Sequence, residues 1–114
     1  MAETPALACR LDALDRGEQS RRAALAEEIT ARFVSVEETG DGYLARLPYD
    51  AAVARDALAW MLLERRCCPF LSLELGFEPE SEAMWMRFGG GRGVKAFLTS
   101  AGLGARRPPS DCGC

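Results

Sequence analysis

The feature that most restricts how this chain can fold is a change of period at Cys67-Cys68-Pro69. From Asp50 to Arg66 apolar residues recur at helical spacing, and from Phe70 to Phe77 they alternate one by one. Proline disfavours helical geometry at the residue before it, so a helix entering this stretch stops at Cys68 and a strand starts just beyond. Two adjacent thiols therefore sit at a forced junction between a helix and a strand.

The helix over 51–66 has Asp50 as its N-cap. Val53, Ala57, Leu58, Met61 and Leu62 form one apolar stripe, and Trp60, Leu63 and Cys67 form a second. A helix that is apolar on two sides is central to a core or faces a second subunit. In the strand that follows, Leu71, Leu73, Leu75 and Phe77 share one face, with Phe70, Ser72, Glu74 and Gly76 on the other. Glu78-Pro79-Glu80-Ser81 reads as a turn and Glu82 to Phe88 as the partner strand, with Met84, Met86 and Phe88 facing the core.

The same arrangement occurs once earlier. Asp15, with Glu18 three residues on, has the spacing of a capping box and opens a helix over 16–32 on which Leu25, Ile29 and Phe33 recur every fourth residue. Arg21, Arg22, Glu27, Glu28 and Arg32 are assigned to its wet face. Phe33 to Glu37 and Tyr43 to Leu47 read as strands about Gly40-Asp41-Gly42, a turn in which glycine supplies positive φ. Gly89-Gly90-Gly91-Arg92-Gly93 leads into a short helix over 94–101. The order is helix, hairpin, helix, hairpin, helix. It predicts an α+β fold in which two hairpins form a four-stranded, mainly antiparallel sheet with three helices on one face. An N-terminal arm (1–15), one domain (16–104) and a tail (105–114) complete the expected organisation. Trp60, Leu63, Phe70 and Trp85 are left as apolar outer positions for a homodimer interface.

At 114 residues and a net charge of −3, the chain is sized for a single core and has no bulk attraction to nucleic acid or anionic membranes. No apolar run approaches the roughly 20 residues of a membrane span, and Met1-Ala2-Glu3-Thr4-Pro5 lacks the features of a signal peptide, so a cytoplasmic protein is expected. In that compartment five cysteines point to metal, redox or buried thiols rather than a disulfide framework.

Cys67 and Cys68 are the first candidates, because thiolate sulfur suits soft ions such as Hg(II) and Cu(I). Arg65 and Arg66 favour thiolate there, and the helix C-terminus opposes it. Cys112-Gly113-Cys114 forms a second chelating pair beyond Pro108-Pro109, and Cys9 is a possible third sulfur for the interior site. The chain has no histidine, which removes His-dependent catalysis and every His-containing zinc site. Zn(II) would then need four cysteines drawn from both ends of the chain, so it ranks below Hg(II) and Cu(I). The glycine run near Arg92 and Lys95 does not match a phosphate-binding loop.

The block Leu63-Glu64-Arg65-Arg66-Cys67-Cys68-Pro69-Phe70-Leu71, with Gly42-Tyr43 before it and Gly93-Val94-Lys95-Ala96-Phe97-Leu98 after it, resembles a group of small uncharacterised bacterial proteins that share a Glu-Arg-x-Cys-Cys-Pro-Phe core. The resemblance spans about residues 9–101. It implies the importance of Cys67-Cys68 and assigns no reaction. By analogy, mercuric reductases pass Hg(II) from a mobile C-terminal cysteine pair to a buried pair. Only that hand-over idea applies here, because this chain has no flavin or nucleotide fold.

The expected function is a soft-metal-binding protein rather than an enzyme. Cys112 and Cys114 capture the ion, and Cys67 and Cys68, with Cys9, hold it. The alternatives are a dimerising module with packed cysteines and a thiol-disulfide exchange protein.

Overall fold

A computed structural model describes residues 10–103. Its elements follow the expected order. A short 3-10 helix (Leu11–Ala13) leads into α1 (Arg16–Thr30), β1 (Ser35–Glu38), β2 (Tyr43–Pro48), α2 (Ala51–Cys67), β3 (Leu71–Phe77), β4 (Ala83–Gly90) and α3 (Val94–Ser100). The four strands form one sheet in the order β1-β2-β4-β3, and every neighbouring pair is antiparallel. The two hairpins thus join through β2 and β4.

The period-2 pattern explains which face is buried. Tyr43, Ala45 and Leu47 of β2 lie directly opposite Phe88, Met86 and Met84 of β4, and all six are buried. They form one core with Leu25 and Ile29 of α1, Val53, Ala57, Trp60 and Met61 of α2, and Val94 and Leu98 of α3. The other face of the sheet carries cross-strand charge pairs, Glu37 with Arg46 and Glu74 with Arg87. Alternate residues on a strand point to opposite faces, so the helices cover the apolar face and water covers the paired charges.

Both expected N-caps are present. Asp15 accepts from the Glu18 amide while Glu18 accepts from the Asp15 amide, closing the capping box of α1. Asp50 accepts from the amides of Ala52 and Val53 at the start of α2.

Two expectations are corrected. Trp60, assigned to an outer stripe, is 7% exposed and packs its ring against Phe88. Leu63, Phe70 and Trp85 are half-buried, whereas Leu58 and Leu62, placed in the core stripe, are 51% and 54% exposed. With both sides of α2 apolar, its rotation is fixed by α1 crossing it, and that crossing is not encoded locally. The β1–β2 turn also differs, because positive φ among the described glycines occurs at Gly90, Gly93 and Gly102 rather than at Gly40 or Gly42. Gly42 is required for space: a Cβ there would lie 1.9 Å from the Phe88 carbonyl oxygen of the neighbouring strand.

Candidate metal centre

Trp60, Glu64 and Cys67 are spaced four and three residues apart, so α2 places them on one face. Glu64 is only 6% exposed and is the one buried charged residue among the described residues. A buried carboxylate needs partners, and these are supplied by two helices. Trp60 Nε1 donates to Glu64 Oε2 at 2.8 Å, and Arg22 Nη2 of α1 reaches the same oxygen at 2.9 Å. The second oxygen, Oε1, is left facing the Cys67 sulfur at 3.9 Å.

The helix stop does the rest. Cys68 takes φ −129° and ψ 68°, outside helical geometry, as a residue before proline should, and its amide still donates to the Glu64 carbonyl. Neighbouring side chains on a continuous helix diverge. Breaking the helix at Cys68 turns its sulfur toward that of Cys67, to 3.5 Å. The ligand atoms of Glu64, Cys67 and Cys68 all lie within 4.8 Å of one another, and all three residues are buried. Leu14 closes the site with Leu63, Phe70 and Leu71 packed around it.

This geometry fits an ion. With metal–sulfur bonds of about 2.3 Å, sulfurs 3.5 Å apart subtend roughly 100° at the metal. That angle suits three- or four-coordinate binding. Linear two-coordinate binding at the same bond length needs sulfurs about 4.6 Å apart.

The thiols differ in state. Cys67 is a free, buried thiol, and Cys68 is disulfide-bonded. Joint use of the two sulfurs as ligands therefore belongs to the reduced protein. Burial pushes the Cys67 thiol above its ordinary range, the Glu64 charge pushes it further, and Arg22, which also hydrogen-bonds Cys67, opposes both. The expected contest between Arg65 and Arg66 and the helix end is thus overridden by burial. Arg66 is occupied elsewhere. It pairs with Glu18 at 2.6 Å and donates to the Ala13 carbonyl, which ties the N-terminal turn to α2. The same contact holds the Glu18 carboxyl below its ordinary range.

Of the sequence-predicted ligands, Cys67 and Cys68 are brought together, and Cys9, Cys112 and Cys114 lie outside the described residues. Arg10 donates its amide to the Cys67 carbonyl, so the chain that follows Cys9 is bound at this site. Sequence reasoning missed Glu64 as a candidate ligand and Arg22 as its counter-ion. The signal for Glu64 was present, since a carboxylate four residues after Trp60 and three before Cys67 shares their apolar face. Beside the cluster lies a cavity of about 410 Å³, bordered by Arg22, Glu64, Trp60, Phe88 and Phe97 and reaching Leu103.

The glycine run serves a structural purpose. Gly93, with φ 87°, starts a helix of seven residues, and Lys95 is engaged by the Thr39 carbonyl and Glu38. No helix among the described residues is long and apolar enough to cross a membrane. No protein family, curated protein or solved structure matches the chain.

Proposed function

We propose that the reduced protein binds a thiophilic metal ion through Cys67, Cys68 and Glu64, with Hg(II) and Cu(I) preferred. The observation that carries this reading is the buried convergence of two sulfurs 3.5 Å apart with a carboxylate oxygen beside them. Zn(II) is a stronger competitor than the cysteine count implies, because Glu64 adds an oxygen ligand and the sulfur geometry suits higher coordination. Cys9 is proposed as a further sulfur ligand, since Arg10, the next residue in the chain, donates its amide to the Cys67 carbonyl.

Cys112 and Cys114 are proposed to capture the ion and pass it inward. Leu103 borders the same cavity as Glu64, and the eleven residues from 104 to 114 span up to about 40 Å when extended. That reach supports delivery without requiring the domain to move. The resemblance to the Glu-Arg-x-Cys-Cys-Pro-Phe group is proposed on the same block.

Native mass spectrometry of the reduced protein, titrated with Hg(II), Cu(I) and Zn(II) against a small competing thiol, tests the reading. One ion per chain should survive competition and be lost in the Cys67→Ser/Cys68→Ser variant. Retention by that variant would refute the interior site.

A second reading, self-association, is favoured by one observation. Leu58 and Leu62 are exposed on α2 beside β3, which is an edge strand among the described residues. An exposed edge strand flanked by apolar side chains is a template for pairing with a second copy. Sedimentation velocity would show a dimer that Leu58→Glu/Leu62→Glu dissociates, and a monomer at high concentration would refute it.

A further inference from the structure

The cavity beside the cysteine cluster has a composition that a bare ion does not need. At about 410 Å³ it lies in the range of small-molecule sites, and its walls are largely apolar, with rings from Trp60, Phe88 and Phe97. Its polar lining includes Thr30 and the pair Arg22 and Glu64, and that pair also touches Cys67, which lies just behind it. Glu27 also lines it, so among the described residues the ionisable lining comprises one cation and two carboxylates. Arg22 and Glu64 balance one another in charge, so the cavity favours a ligand that is apolar over most of its surface, with the thiol just beyond the pair to take its reactive end.

We infer that the site takes a soft metal cation carrying one organic group, with the group in the cavity and the metal on Cys67. The inference rests on the thiophilic-metal reading and names its substrate class. A mono-organo cation such as phenylmercury has one strong coordination position left. Cys67 supplies one free thiol, and it does so even while Cys68 is disulfide-bonded. On binding, the sulfur–hydrogen bond of Cys67 breaks and a sulfur–metal bond forms. The proton passes to solvent, the counter-anion leaves the metal, and nothing is oxidised or reduced.

The test compares phenylmercuric acetate, methylmercuric chloride and mercuric chloride on the full chain, each against glutathione, with bound species counted by native mass spectrometry. Phenylmercury and methylmercury bind one thiol alike, so their difference reports the cavity. Burial of the ring should favour phenylmercury by about tenfold or more. Ala26→Trp fills the cavity from α1. Ala101→Trp fills it from an exposed position after α3, which guards against a folding failure in the first variant. Both should bind methylmercury and lose the preference for phenylmercury. A preference below about twofold, or one that survives in both variants, overturns the inference. Retention of Hg(II) by Cys67 and Cys68 in that case leaves the metal reading standing. Failure of all three compounds to outcompete glutathione overturns both.

Discussion

Replacing Arg22 with Met should destabilise the protein by removing the cation that accompanies the buried Glu64 carboxylate. The pair is 2.9 Å apart, with side-chain exposures of 22% for Arg22 and 8% for Glu64. Breaking a fully buried pair costs about 3–5 kcal/mol, because one charge is left desolvated and unpaired. Water reaches Arg22 over about a fifth of its surface, so a discounted cost of about 2–3 kcal/mol is expected. The methionine retains most of the aliphatic packing between α1 and α2, which isolates the charge. In urea, with a slope of about 1–1.5 kcal/mol/M for a domain of this size, the unfolding midpoint should fall by roughly 2 M. Adding Glu64→Gln removes the orphaned charge and keeps an acceptor for Trp60 Nε1, so the double variant should return to within about 1 kcal/mol of wild type. A loss below about 0.5 kcal/mol for Arg22→Met, or a double variant no better than the single one, would refute this account of how Glu64 is held.

Other positions give sharp expectations. Gly42→Ala would press a Cβ to 1.9 Å from the Phe88 carbonyl, and because the neighbour is backbone the cost should be about 2 kcal/mol or more in the same urea assay. Asp50→Ala removes an acceptor for two amides at the start of α2 and should cost about 1 kcal/mol, measured alike. The raised Cys67 thiol gives a pH signature in the reduced protein. Its stabilising contribution is fully present below the unfolded value of about 8.5 and is lost as pH rises through the folded value. Wild type should therefore lose stability relative to Cys67→Ala above about pH 8.5, and a constant difference between them would contradict the shift. Since a metal must displace that proton, apparent metal affinity should rise with pH, as read by competition titration.

The parts of the fold that were legible in the sequence are those set by neighbouring residues. Asp15 and Glu18 close their capping box within one turn, Pro69 stops α2 by its own ring, and Met84, Met86 and Phe88 reach the core by alternation alone. What was not legible depends on how elements cross. Arg22 reads as a solvent-facing residue until α1 lies against α2 and directs it to Glu64. Leu58 and Trp60 exchange roles because α2 offers two apolar sides and packing selects one. Gly42 was recognised as a turn residue, but its need for space comes from β4, which joins the sheet more than forty residues later. The disulfide of Cys68 was set aside on grounds of compartment, a prior that carries no information about one pair of sulfurs.

The central claim, that Cys67, Cys68 and Glu64 hold one ion together, is tested most directly by X-ray absorption on the reduced, metal-loaded protein. Loaded with Zn(II), it should show two sulfurs at about 2.3 Å and at least one oxygen at about 2.0–2.2 Å from the metal. The sulfur signal should disappear in Cys67→Ser/Cys68→Ser. A spectrum that lacks sulfur, or one that this double variant leaves unchanged, would contradict it.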